Sequence, residues 1–113
     1  MRLPNADRAV IDPAKLYGYL LSRSHPVGRF KAAFFAALGY SAENWQRLEA
    51  DLRSQHLAHE AVAGKASRYG QTYEIRATLV GPSGGSAHVV SIWFVPAAEE
   101  VPRFVTAYPE GSR

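Results

Sequence analysis

Apolar residues recur every three to four positions over the first half of the chain and every second position after Gly64, so helices are predicted first and strands after. Asp12-Pro13 supplies an N-cap and a proline at the first helical position, and Leu16, Tyr19 and Leu20 then keep helical spacing, which predicts a helix over 13–22. Ser24-His25-Pro26 ends it, because the residue before a proline is pushed out of the helical region. Phe30, Phe34 and Leu38, with Ala33 and Ala37 beside them, define the stripe of a second helix over 27–38, stopped by Gly39. Ser41 caps a third over 42–57, where Trp45, Leu48 and Leu52 share a face while Arg47–Asp51 and Glu49–Arg53 pair four apart on the solvated side.

Tyr73, Ile75, Ala77 and Leu79 alternate with Thr72, Glu74, Arg76 and Thr78, the pattern of a half-buried strand over 71–80. A Gly/Ser-rich turn over 81–86 leads to 87–95, apolar on both faces and therefore a central strand. A last strand is expected over 103–108 and a weaker one over 60–66. This order predicts an α+β fold, with N-terminal helices packed on one face of a three- to four-stranded antiparallel sheet and the other face open. At 113 residues, with no repeat and no linker-like segment, the whole chain 1–113 reads as a single domain.

The chain has no cysteine, which removes disulfides and thiolate metal sites and fits a cytoplasmic location. No apolar run approaches the length of a membrane span, so no membrane partner is expected. The net charge is +3, and its distribution is uneven: residues 1–40 hold six Lys or Arg against two acids, whereas 41–60 hold two against four. This excess in the N-terminal third would assist binding to a polyanion, and fits equally a solvated face of ordinary helices. The chain has neither a phosphate loop nor a Gly-x-Ser-x-Gly elbow, which argues against nucleotide-driven enzymes and hydrolases of that type. His56 and His59 lie three apart with only Glu60 beside them, so no metal and no cofactor are expected. His88 falls in the central strand and reads as a sheet residue.

The candidate chemistry begins at His25, an imidazole in the loop before a helix start, where it could exchange protons near neutral pH. Lys31 follows one to two turns into the same helix, and Arg23 and Arg29 add two more cations. His25-Pro26-Val27-Gly28 with Lys31, Tyr69-Gly70, Gly81-Pro82-Ser83-Gly84, Ser91-Ile92-Trp93 and the segment Pro102-Arg103-Phe104-Val105-Thr106-Ala107-Tyr108 together form a recognisable set. That set resembles an uncharacterised bacterial domain family, found as small standalone proteins and as the terminal toxin domain of large contact-dependent-inhibition or filamentous-haemagglutinin-like proteins. The resemblance spans roughly Leu3 to Pro109. If the register follows the family pattern, the open sheet face gathers Glu74, Arg76, Ser91, Trp93, Thr106 and Tyr108, which would stack a base and hold a phosphate. Members often carry arginine where this chain has Val90, a departure that bears on activity and substrate choice.

The element order also looks like the barnase/EndoU/colicin/RelE group of small ribonucleases, whose cleft lies on the sheet face away from the helices. That likeness implies metal-independent cleavage of tRNA or mRNA, in which a ribose 2′-hydroxyl attacks the adjacent phosphate. It would assign His25 to acid–base work, Lys31 and Arg76 to phosphate stabilisation, and Thr106, Ser91 or Tyr108 to orientation or proton donation. Arg23, Arg29, Ser91, Trp93 and Tyr108 would bind the substrate. The alternative is a non-catalytic protein-binding module of a toxin–antitoxin or toxin–immunity system, gripping its antitoxin or immunity protein through the open face. Catalysis requires His25, Arg76 and Thr106 to converge in one cleft, whereas a binding module leaves them dispersed.

Overall fold

Asp12 caps the first helix as its position before Pro13 predicts, its Oδ1 accepting the Ala14 N–H at 3.0 Å. In the computed structural model, which describes residues 1–111, helix α1 (13–20) opens with an α turn, Pro13–Lys15, and widens into a π turn, Leu16–Leu20. Helix α2 is Arg29–Ala37. Helix α3 (42–56) joins a 3-10 turn, Ala42–Asn44, to an α segment, Trp45–Asp51, and a π turn, Leu52–His56. Among the described residues no helix is long and apolar enough to cross a membrane.

The second helix buries only part of the expected Phe30–Phe34–Leu38 stripe. Ala32, Phe35 and Leu38 are buried, Phe34 only partly, and Phe30 is 72% exposed. Gly28 and Ala32, four apart and small, let α2 press against α1. Phe30 is left pointing outward.

The strands β1 (Ala61–Ser67), β2 (Gly70–Val80), β3 (Ser86–Pro96) and β4 (Arg103–Pro109) form one antiparallel meander in the order β1-β2-β3-β4. The segment expected to be weak is a true edge strand, and the expected central strand is interior. Eleven unbroken pairs join β2 to β3, from Gly70↔Pro96 to Val80↔Ser86. This register sets which side chains share a face. Tyr73, Ile75, Ser91 and Trp93 lie together on the helix-covered side, while Glu74, Arg76, Val90 and Ile92 lie on the other. Ser91 and Trp93 are thus fully buried, not members of the open face as the family pattern suggested.

Two polar networks organise the core. The Tyr40 hydroxyl donates to Asp51 Oδ2 at 2.6 Å, and Arg47 Nε reaches the same oxygen at 3.1 Å, so the expected i,i+4 pair is half buried rather than solvated. Burial, reinforced by the Asp51 carboxylate, pushes the Tyr40 phenol pKa well up. Deeper in, Trp93 Nε1–H donates to Ser91 Oγ at 2.9 Å, and His56 Nδ1 shares a hydrogen bond with the same oxygen at 2.8 Å. His56 Nε2 is buried without a partner. His56 therefore belongs to the core, apart from the exposed His59.

Burial lowers the His56 pKa from 6.5 to about 4, with the charge of His59 acting the same way and the Ala77 backbone opposing it. Between those values the unfolded chain binds a proton that the folded chain refuses, so stability falls as pH drops through that window. The loss should reach about 3 kcal/mol. Denaturant unfolding of the wild type and His56→Gln from pH 7 to pH 4 checks this. A flatter slope is expected for the variant, and parallel curves would refute the assignment.

Candidate functional site

The turn between α1 and α2 is built by His25 and Gly28. His25 Nδ1 accepts the N–H groups of Val27 and Gly28, each at 3.0 Å, and so caps the start of α2 with an imidazole. Ser22 Oγ in turn accepts the His25 N–H at 3.1 Å. At Gly28 an added Cβ would lie 1.9 Å from the Tyr19 carbonyl oxygen, so only glycine allows this crossing. The crossing brings Lys31 onto Tyr19. Lys31 Nζ donates to the Tyr19 hydroxyl at 2.8 Å and to Thr106 Oγ1 at 3.0 Å, and those two oxygens are 3.2 Å apart.

Thr106 arrives there through a bulge. Trp93 pairs with Phe104 and Ile92 with Thr106, leaving Val105 as the extra residue. Residues two apart normally share a face, and the bulge breaks that rule, so Phe104 enters the core while Thr106 and Tyr108 reach the opposite face. There Tyr108 lies across the fully buried Val90 from Arg76, and Thr106 lies across Ile92 from Glu74. Phe30, Lys31, Arg76, Thr106 and Tyr108, with Glu74 and Glu110, line a cleft of about 660 Å³. That is large enough for a nucleotide-sized ligand.

The two cations of the cleft differ. Arg76 is held by Glu74 at 3.1 Å and Glu110 at 3.3 Å. Lys31 has no carboxylate partner among the described residues. Its ammonium lies 5.2 Å from the Tyr19 ring centroid and 6.0 Å from that of Tyr108.

The structure thus gathers Lys31, Arg76, Thr106 and Tyr108 in one cleft. His25 lies next door. It stacks edge-on against Tyr19, centroids 5.0 Å apart, in an adjoining depression of about 520 Å³ that shares Thr106 as a wall. Arg29 lies over the Phe30 ring at 4.7 Å. Arg23 sits away from the cleft, in a separate depression with Tyr40 and Glu43. Ser91 and Trp93 are in the core behind the sheet. Sequence reasoning missed Tyr19 and Phe30, both of which it read as parts of apolar helix faces. The available signal was Gly28, where α2 passes against the backbone of Tyr19. Among the described residues, no three His, Asp or Glu side chains cluster as a metal set.

Gly28→Ala should cost about 1–3 kcal/mol, because the clash is with backbone rather than a flexible side chain. It should also shift the Tyr19 ring resonances as Lys31 is drawn away. Thermal melts and tyrosine NMR spectra check both outcomes, and an unaltered melt with unaltered spectra would show that the crossing is not constrained.

The family described as domain of unknown function (DUF6883) matches residues 2–111. No curated protein matches the sequence. Among solved structures, a chain of a contact-dependent growth inhibition toxin–immunity protein complex from Klebsiella pneumoniae 342 is similar at a TM-score of 0.54 and 20% identity, covering 96% of this chain and 98% of that one. At that identity the likeness shows a common fold.

Proposed function

This chain belongs to the family described as domain of unknown function (DUF6883), and from its cleft we infer that it is a metal-independent endoribonuclease of toxin type, acting on tRNA or mRNA. The carrying observation is Lys31, an ammonium without a carboxylate partner among the described residues, held by two hydroxyls in a nucleotide-sized cleft. Such a group is set to receive one phosphate. Phe30 and Tyr108 line the same cleft and offer faces for bases. Thr106 orients Lys31, and Arg76 becomes a second phosphate ligand once an incoming anion competes with Glu110. The fold shared with a chain of the Klebsiella toxin–immunity complex supports a role in a system of that kind, as toxin or as immunity component; on the toxin reading an immunity protein would be the cognate partner.

The protein-binding module is the second reading, favoured by the ion-paired state of Arg76 and by His25 lining the neighbouring depression rather than the cleft itself. Incubation with total tRNA and with mRNA in the presence of a chelator separates the two. Cleavage is expected, and Lys31→Ala should slow it by about 10²–10³-fold. Binding to single-stranded RNA should weaken with salt, with a logarithmic slope about 0.7 shallower in the variant. A wild type that neither cleaves RNA nor binds it at low salt would favour the binding module.

A further inference from the structure

Cleavage by an internal 2′-hydroxyl requires a proton for the departing 5′-oxygen, and the cap geometry makes His25 a poor source. With both backbone N–H groups directed at Nδ1, the neutral ring carries its proton on Nε2. A proton placed on Nδ1 would break the cap.

Tyr19 is differently placed. Its oxygen accepts from Lys31 Nζ, which can only donate, so the phenolic proton is directed elsewhere, toward Thr106 Oγ1 or the open space beside it. Thr106 is the common wall of the main cleft and the adjoining depression, and Tyr19 lines the latter. The Tyr19 hydroxyl therefore stands at the seam between two spaces that could hold the nucleotides on either side of a phosphate at Lys31. Burial opposes ionisation of this phenol, but hydrogen bonds from Lys31 and Thr106, with the charges of Lys31 and Lys15, outweigh it and hold the pKa below the usual tyrosine value. Lys15, Asp12 and His25 are the other charged or titratable groups lining the depression around it, and Lys31 reaches it from the main cleft.

We propose that Tyr19 is the general acid of the reaction, giving its phenolic proton to the leaving 5′-oxygen while Lys31 stabilises the phenolate left behind; this rests on the ribonuclease reading above. The bond between the 2′-oxygen and phosphorus forms as the bond from phosphorus to the 5′-oxygen breaks. The 2′-hydroxyl proton passes to a solvent water, and the Tyr19 proton ends on the 5′-oxygen. The products are a 2′,3′-cyclic phosphate and a 5′-hydroxyl, and the phenolate recovers a proton from the hydronium formed in the first transfer.

The test compares RNA with uridine 3′-(4-nitrophenyl phosphate), whose leaving group departs without protonation. Tyr19→Phe should lose about 10²–10⁴-fold on RNA and keep close to the wild-type rate on the activated ester. The alkaline fall of the wild-type pH–rate profile on RNA should vanish in the variant. Wild-type cleavage of RNA by Tyr19→Phe, or equal losses on both substrates, would overturn the role of Tyr19 and leave the ribonuclease reading intact. A wild type inactive on both substrates would remove both.

Discussion

The crossing of α2 over the backbone of Tyr19, at a glycine where no Cβ fits, sets where Lys31 meets the groups that the sheet brings to the cleft. His25 fixes the direction of α2 at that crossing by taking its first free N–H groups, and three residues beyond Gly28 the lysine meets the phenol. The far end of the helix is fixed in the same way. A Cβ at Gly81 would lie 2.0 Å from the Leu38 carbonyl oxygen, and Ser83 N–H donates to that oxygen at 3.1 Å. Both ends of α2 are thus gripped by backbone, and the Lys31 stem inherits that fixity.

Most of the recurring sequence pattern proves to be scaffold. Gly70 turns the β1–β2 hairpin at a φ of 154°, Gly81 admits the end of α2, and Ser91 and Trp93 pair inside the core. Lys31, Thr106 and Tyr108 are the pattern members that face the cleft. The change of period after Gly64 made the order of helices and strands legible, and the half-buried alternation of β2 correctly put Arg76 on the outer face. Which residues of β3 join Arg76 was not legible, because a strand apolar on both faces carries no parity of its own. The turn over 81–85 sets that parity, pairing Arg76 with Val90 and sending Ser91 inward. The bulge at Val105 is equally silent in sequence, since Phe104, Thr106 and Tyr108 read as one continuous face.

The cleft is not a general basic groove, in spite of the positive N-terminal third. Two carboxylates accompany its two cations, and both lie against Arg76. An exposed ion pair of this kind contributes little to stability, yet it screens the arginine from distant anions. The unscreened positive charge is concentrated at one ammonium beside two hydroxyls, a pattern suited to a single phosphate rather than to a long run of backbone. The buried His56–Ser91–Trp93 chain behind the sheet is separate from this balance, and its unpartnered nitrogen is a cost borne by the core.

The three groups at the seam come from distant parts of the chain, with Tyr19 and Lys31 twelve residues apart but Thr106 75 and 87 residues from them. The long β2–β3 hairpin closes through a short turn and needs none of them, so loop-closure entropy favours its early formation and late docking of the N-terminal helices. A piece of the chain that stops short of either Tyr19 or Thr106 lacks part of the site. A chain emerging from the ribosome, or threaded through any narrow passage, carries the hydroxyls and the ammonium as unrelated side chains. They become one chemical unit only when the last strand has paired and the first helix has returned to it.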